Sequence, residues 1–414
     1  MSLDKLEPLL TRALADLDAS GRRKGTERAI VGVKPPHDGL GPRYLLEGCG
    51  QREFLRMNSN SYLGLSRHPR VIKGDAGATE KFGTGPGAVR FISGTYQPHV
   101  ELERALAAFH GRDAAMLMSA AYATVMGVLP QFITERTVVI SDALNHNCII
   151  NAIRLARPAM KAVYAHLDLA ELERSLDAHA GQAARAIIVT DGVFSMRGDH
   201  APLDRIADIC RRYDARYPEG ILTVVDDSHG AGAFGRTGRG TEEYTGAHAD
   251  VLIGTLGKAF GVNGGYVISK ATVISYLRET APSYIYSNPI TPGEAAAALA
   301  AIAILDSPEG LDYLNHLRVL TARLRTGLAT LGLETIPGEH PIVPILIRDP
   351  RKTSVLVQRL FEYNILVTGL TYPVVPKGED EIRMQVSVDQ TSGDIERVLS
   401  VLRDVQKQQG ADAG

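Results

Sequence analysis

Leucines at positions 3, 6, 9, 10, 14 and 17 recur three or four apart, so the chain is predicted to open with an amphipathic helix over residues 3–19. Gly21 and the basic Arg22, Arg23 and Lys24 then end it. From about residue 50 to 285 the pattern changes. Short apolar runs at 137–141, 186–190, 221–225, 250–253 and 265–269 alternate with stretches of helical spacing such as 169–176 and 203–213. Unbroken apolar runs mark strands buried on both faces, and strands alternating with helices form an α/β layer with a mostly parallel sheet. An alanine-rich helix is expected near 293–305, then short strands at 342–347 and 382–388 flanked by helices, the pattern of a smaller α+β unit. Residues 406–414 are polar and contain glycine, so they are expected to fray. The chain therefore divides into a helical arm over 1–49, a large domain over 50–290 and a small C-terminal domain over 291–414.

In parallel sheets, ligands sit beyond the carboxyl ends of the strands. There the sequence places Ser141, Asp142, Asp191, Asp226, Asp227 and Thr255. Beyond the 250–253 strand, Lys258 is delivered into a glycine-lined turn. A lysine amine, with a reference pKa of about 10.4, becomes a useful nucleophile once burial or an imine bond removes its charge. Asp226 and His229 lie three apart, so one can reach beneath a planar ring while the other approaches its edge. An aspartate beside a pyridine nitrogen keeps it protonated and lets the ring accept electrons from a carbanion. Thr255 can offer its hydroxyl to a phosphate, and Met118 to Tyr122 lead into a helix whose first N–H groups favour one. Singly, each has a bland explanation: a surface lysine, a strand-end cap, a turn hydroxyl. Together they point to pyridoxal 5'-phosphate (PLP).

Charge narrows the partners. In 414 residues, 45 basic and 47 acidic side chains give a net charge of -2, so no basic field marks out nucleic acid or anionic lipid, and a small-molecule ligand is expected. Cys49, Cys148 and Cys210 are too few and scattered for a disulfide framework or a metal site, which suggests a reducing, cytoplasmic setting. The amino terminus carries charges where a signal peptide would be apolar. The longest apolar run, 295–305, falls short of the roughly 20 residues that span a bilayer.

Over about 58–391 the chain resembles the α-oxoamine synthases, fold-type I PLP-dependent transferases that include 8-amino-7-oxononanoate synthase, 5-aminolevulinate synthase, serine palmitoyltransferase and glycine C-acetyltransferase. The motifs that carry the likeness are, in order, Asn60 to Leu65 (NSYLGL), Gly83 to Thr95 (GTGPGAVRFISGT), His99 to Glu103, Ser141 to His146, Gly192 to Met196, Asp226 to Gly230 (DDSHG), Gly254 to Lys258 (GTLGK) and Gly264 to Tyr266. Ser141 to His146, Tyr372 to Gly378 and Ile382 to Ser387 look most like the glycine C-acetyltransferase branch.

The resemblance implies that Lys258 forms the Schiff base and later carries the α-proton, Asp226 pairs with the pyridinium nitrogen, and His229 with the ring hydroxyl. It implies that His146 stacks on the ring, Ser195 lies near its hydroxyl, and Thr255 with the backbone of Ala121 and Tyr122 holds the phosphate. Ser287 and Asn288 match residues that reach the phosphate from a neighbouring subunit, which implies a homodimer with shared sites. Asn60 and Arg383 match groups that hold the amino-acid carboxylate, a task suited to a guanidinium fork. Ala121, Val125, Pro86 and Ala88 depart from the usual pattern, where glycine, asparagine or serine is common.

The implied reaction condenses an amino acid with an acyl thioester, acyl-CoA ahead of a carrier-protein thioester, usually with decarboxylation, to an α-aminoketone. Two rival readings are another PLP enzyme on the same scaffold, such as an aminotransferase or aldolase-like lyase, and a non-catalytic partner subunit.

Overall fold

The computed structural model describes residues 2–20, 23 and 27–412, so the predicted helix break at Gly21, Arg22 and Lys24 falls almost wholly outside it. The opening helix runs Ser2–Ala19. In chain order the strands are β1 (Ile30–Lys34), β2 (Arg43–Leu46), β3 (Leu55–Arg56), β4 (Ala114–Met118), β5 (Thr137–Asp142), β6 (Met160–Tyr164), β7 (Arg185–Asp191), β8 (Ile221–Asp226), β9 (Val251–Thr255), β10 (Gly265–Ser269), β11 (Ile342–Leu346), β12 (Ile365–Leu366), β13 (Thr368–Leu370) and β14 (Glu381–Gln385).

The five apolar runs read from the sequence are β5, β7, β8, β9 and β10. They belong to a seven-stranded sheet of order β4-β10-β9-β8-β7-β5-β6. β10 runs antiparallel to both neighbours, while the other pairings are parallel. The reason is connection length. β9 reaches β10 through a short loop, whereas β5, β6, β7 and β8 are joined through the helices Asn147–Ala156, Leu169–His179 and Leu203–Tyr213, long enough to cross over and re-enter in parallel. All the parallel strands therefore end at one edge, where Asp142, Asp191, Asp226 and Thr255 close β5, β7, β8 and β9.

Successive strand residues face opposite sides. Ile187 and Val189 of β7 join Val224, Val251, Ile253 and Val267 in one core, while Ile188 joins Ile140, Val225, Leu252 and Ile268 in the other. Each such side chain, fully removed from water, contributes on the order of 1.5–3 kcal/mol. The sequence reading missed β4 and β6. β6 is an edge strand whose Lys161 and Val163 are exposed, so no continuous apolar run marks it.

The C-terminal region forms a three-stranded antiparallel sheet, β11-β14-β13, with the helices Pro308–Thr330, Pro350–Glu362 and Ser392–Asp412. Two expectations need correction. The strand predicted to reach 388 stops at Gln385, beyond which Val386 N donates to Pro341 O. Residues 406–412, expected to fray, continue the last helix, because Ile395, Val398, Leu399, Leu402 and Val405 bury its apolar face.

The segment read as a helical arm is a third correction, since it also carries β1 and β2, paired antiparallel. β2 is fastened by a buried ion pair between Arg43 and Asp394. The next stretch zips onto the C-terminal region: β3 pairs parallel with β12, Gln385 N donates to Met57 O at 2.8 Å, and Val388 N to Tyr62 O at 2.9 Å. This zipper carries Asn60 to β14. Among the described residues, no helix is long and apolar enough to cross a membrane.

Candidate active site

Lys258 sits in the loop between β9 and β10, partly buried. The loop is closed by Leu256 N donating to Gly264 O at 2.9 Å and Gly261 N to Lys258 O at 3.1 Å. Among the described residues, no hydrogen bond or ion pair reaches the lysine Nζ. Burial lowers its pKa to about 8, with Arg383 acting in the same direction and Asp226 and Asp191 opposing. Thr255 uses its hydroxyl locally, donating to Gly264 O and accepting from Gly257 N, both at 3.1 Å.

Asp226 closes β8. Its Oδ1 accepts from Ser228 N at 3.1 Å and from the Ser228 hydroxyl, while Oδ2 has, among the described residues, only a weak thiol contact, 3.6 Å from Cys148 Sγ. On the neighbouring strand, Asp191 is its register partner, and its Oδ2 accepts His146 N at 3.1 Å. Asp191 Oδ1 is buried with no hydrogen-bond partner among the described residues.

His146 precedes the helix Asn147–Ala156 and caps it, Nδ1 accepting Cys148 N at 3.3 Å in a part-buried contact, and the residue as a whole is exposed. His229 is buried, with Nδ1 at 2.7 Å from the Tyr62 hydroxyl. Burial, reinforced by Lys258 and Arg383, holds the His229 pKa well below that of free imidazole, so the ring is neutral.

Beside these groups the helix Ala121–Val128 begins after Ala120, with no side-chain cap. The first N–H groups of any helix lack intrahelical partners. β10 can pass beneath this start because its first residue is Gly265, where a Cβ would stand 2.4 Å from Ala121 N. The Tyr122 and His146 rings meet edge-on with centroids 6.3 Å apart.

Arg383, on β14, places Nη2 at 3.3 Å from Asn60 Oδ1, which also accepts from Gln385 Nε2. The Arg383 Nε is buried without a partner among the described residues. Burial lowers the pKa of this guanidinium, while Tyr62 and Glu381 act against it.

The structure thus gathers Lys258, Asp226, His229 and His146 beside the Ala121–Tyr122 helix start, and brings Asn60 to Arg383. Ser195 is partly buried in the loop after β7, Ser287 is partly buried and Asn288 exposed; among the described residues no hydrogen bond ties these three to the Lys258 group. Other motif residues are fasteners. Glu103 ties Arg90 (3.1 Å) and Arg278 (2.8 Å) to the Leu117 N–H of β4, and His99 donates to Ile290 O at 2.8 Å, fixing the segment that carries Ser287 and Asn288. Sequence reasoning placed Asp191 at the ligand-facing strand ends without giving it a role, and overlooked Tyr62, Cys148 and His340 as neighbours of the site. Tyr62 lies inside the Asn60–Leu65 motif and Asp191 at a strand end, whereas no pattern marks His340.

Residues 52–402 match the class I and II aminotransferase family. The chain belongs to that family. A curated relative, the 8-amino-7-oxononanoate synthase of Geobacter sulfurreducens, is 38% identical over 97% of this chain and 100% of its own. Among solved structures, the serine palmitoyltransferase of Sphingomonas wittichii superposes with a TM-score of 0.87 at 27% identity, covering 99% of both chains. That of S. paucimobilis, solved with PLP and myriocin bound, gives 0.87 at 25% identity over 99% of both chains. None of these three carries the glycine C-acetyltransferase name, so they add nothing to that branch reading. The fold is the fold-type I PLP transferase architecture anticipated from the motifs.

The residues present fit this family's pyridoxal cofactor. Among the described residues the Lys258 amine has no partner, the nearby Asp226 carboxylate has one oxygen met only by a thiol, exposed His146 lies alongside, and a helix start is left open by Gly265.

Proposed function

We propose that this protein is a PLP-dependent α-oxoamine synthase, an acyltransferase that condenses an amino acid with an acyl thioester and releases an α-aminoketone, usually with loss of carbon dioxide. The observation that carries this reading is the partly buried Lys258 amine, without a partner among the described residues and within the combined field of Asp226 and Arg383, on a chain similar to an 8-amino-7-oxononanoate synthase and a serine palmitoyltransferase. Acyl-CoA is the preferred donor, a carrier-protein thioester the second.

Lys258 would hold the cofactor through Nζ, Asp226 its pyridine nitrogen, His229 and Ser195 its hydroxyl edge, and His146 its face. The phosphate would lie at the N–H groups of Ala121 and Tyr122 with Thr255. When bound, the cofactor supplies an aldehyde that combines with amines and a ring that draws electrons from the adjoining carbon. With a pKa of about 8, Lys258 Nζ is neutral near pH 7 roughly two orders of magnitude more often than free lysine, so it can take the proton from the substrate α-carbon. The Arg383 fork, with Asn60 beside it, orients the substrate carboxylate. Neutral His229 donates without adding charge.

In this reading residues 50–290 form the cofactor-binding domain, and 291–414 the small domain that supplies Arg383. Two copies form a homodimer in which Ser287 and Asn288 complete each other's phosphate sites. Exposed Phe91, Ile92 and Tyr286 support a partner over those loops. The free cysteines agree with a cytoplasmic location.

Mixing amino acid, acyl-CoA and the loaded enzyme should release thiol and carbon dioxide in step with aminoketone. Keto acid without thiol would instead establish the aminotransferase reading that the family name leaves open.

A further inference from the structure

His229 is gripped at two points by residues outside the set that touches cofactor or substrate. Tyr62, fully buried, sets its hydroxyl 2.7 Å from His229 Nδ1. Among the described residues the Tyr62 hydroxyl has no other hydrogen-bond partner, so its own hydrogen goes to the imidazole nitrogen. Reversing the bond would strand a buried O–H, a cost of about 1–3 kcal/mol. An Nδ1 that accepts carries no proton, and a neutral imidazole must then carry it on Nε2.

The second grip is on the backbone. His340 is 1% exposed, and its Nε2 lies 2.9 Å from the His229 carbonyl oxygen. Ile342 N donates to His340 Nδ1 at 3.1 Å, so that nitrogen is bare and Nε2 carries the hydrogen that the carbonyl accepts. The His340 ring also packs edge-on against Tyr62, centroids 5.4 Å apart. His340 leads directly into β11, so it is a strut from the small sheet to the site.

We propose that Tyr62 and His340 are positioning residues that lock His229 as its Nε2–H tautomer, with the donor nitrogen turned away from Tyr62 and free for the hydroxyl edge of the cofactor. This rests on the assignment of His229 given above. Burial, and then the fields of Lys258, Arg383, His340 and His146, oppose a second proton on the ring, so the tautomer is what remains to be set.

Histidine-selective 15N NMR on the cofactor-free protein, with His229→Asn to assign the signal, reads the tautomer directly. The wild type should show a protonated Nε2 and bare Nδ1. Tyr62→Phe, which keeps the core volume, should give a tautomer mixture. In the loaded enzyme the same variant should move the pH midpoint of the cofactor's absorbance by about one unit, a tenfold change in proton affinity, and lower kcat with KM for the amino acid within about twofold. His340→Leu should shift both readouts in the same sense, and His340→Gln, whose amide can still donate to the carbonyl, should restore them. A wild-type proton on Nδ1, or an unaltered tautomer in Tyr62→Phe, overturns the lock; an unaltered His340→Leu overturns the strut. Failure of the cofactor to join Lys258 would sink the functional reading instead, and the cofactor-free spectra would still decide the tautomer.

Discussion

Asp191 and Asp226 stand side by side as register partners at the ends of β7 and β8, two buried carboxyl groups sharing one neighbourhood with Lys258. Asp226 is served by both donors of Ser228, while Asp191 has one backbone donor and one oxygen with none among the described residues. Two adjacent carboxyls in a dry site resist ionising together. Asp191 yields: burial first, then Asp226, pushes its pKa well above the usual range.

A stability prediction follows from the sign. In the unfolded chain Asp191 ionises near its ordinary value of about 3.9, but in the folded chain it keeps its proton to higher pH. The folded state therefore binds more protons over that interval, and stability falls as pH rises through it. Asp191→Asn removes the penalty. Thermal melts of the cofactor-free variant from pH 5 to 7.5 should show a flatter pH profile and a melting temperature at pH 7 no lower than that of the wild type. A variant that melts well below the wild type at pH 7 would show that the charged form is needed.

Lys258 works in the opposite sense. Its folded pKa of about 8 lies below the unfolded value, so the cost of burying the ammonium is fully present below pH 8 and fades as pH rises toward the unfolded value. Cofactor-free Lys258→Met should thus melt above the wild type at pH 7, with the gap closing in alkali. Turnover should drop by at least about 10²–10⁴-fold, and borohydride should no longer link cofactor to the chain. Retained turnover would refute the role of Nζ.

How much of this could be seen in the sequence depended on whether neighbours were close in the chain. Asp226, His229, Thr255 and Lys258 sit on two short segments, and the strands delivering them are unbroken apolar runs, so both fold class and chemistry were legible. β6 was not, because an edge strand exposes alternate residues and loses the apolar run. The contacts of Tyr62 with His229, His340 with the His229 carbonyl, and Arg43 with Asp394 span 167, 111 and 351 positions, and no local pattern encodes such pairings. The C-terminal tail misled for another reason. Its glycine and glutamines suggested fraying, but burial of the preceding helical face outweighed weak local propensity.

Arg383 should reveal itself in substrate affinity. Its Nη2 touches Asn60 while Nε has no partner among the described residues, so the guanidinium retains donors for a carboxylate. Arg383→Lys keeps the charge but loses the fork. Charge-assisted bonds of this type contribute about 1.5–3 kcal/mol, so KM for the amino acid should rise by roughly 10- to 100-fold, with cofactor affinity unchanged by absorbance titration. Weakened cofactor binding with unaltered KM would reassign the residue.

Phe91 and Ile92 are each 67% exposed and Tyr286 is 81% exposed, in segments otherwise anchored, by Arg90–Glu103 on one side and by His99 to Ile290 O on the other. Large apolar side chains held out to water on fastened loops mark a candidate contact surface, and the proposed two-fold dimer would bury each twice. At about 1.5–3 kcal/mol per side chain, replacing Phe91 and Ile92 together by Ser should weaken self-association by at least about 10²-fold. Sedimentation at micromolar concentration should show a dimer for the wild type and a monomer for the variant. If Ser287 and Asn288 complete the site of the partner, that monomer should also lose cofactor on dilution and recover it on concentration. A variant monomer that binds cofactor and turns over as the wild type does would separate dimerisation from the site and remove both serine and asparagine from the phosphate shell.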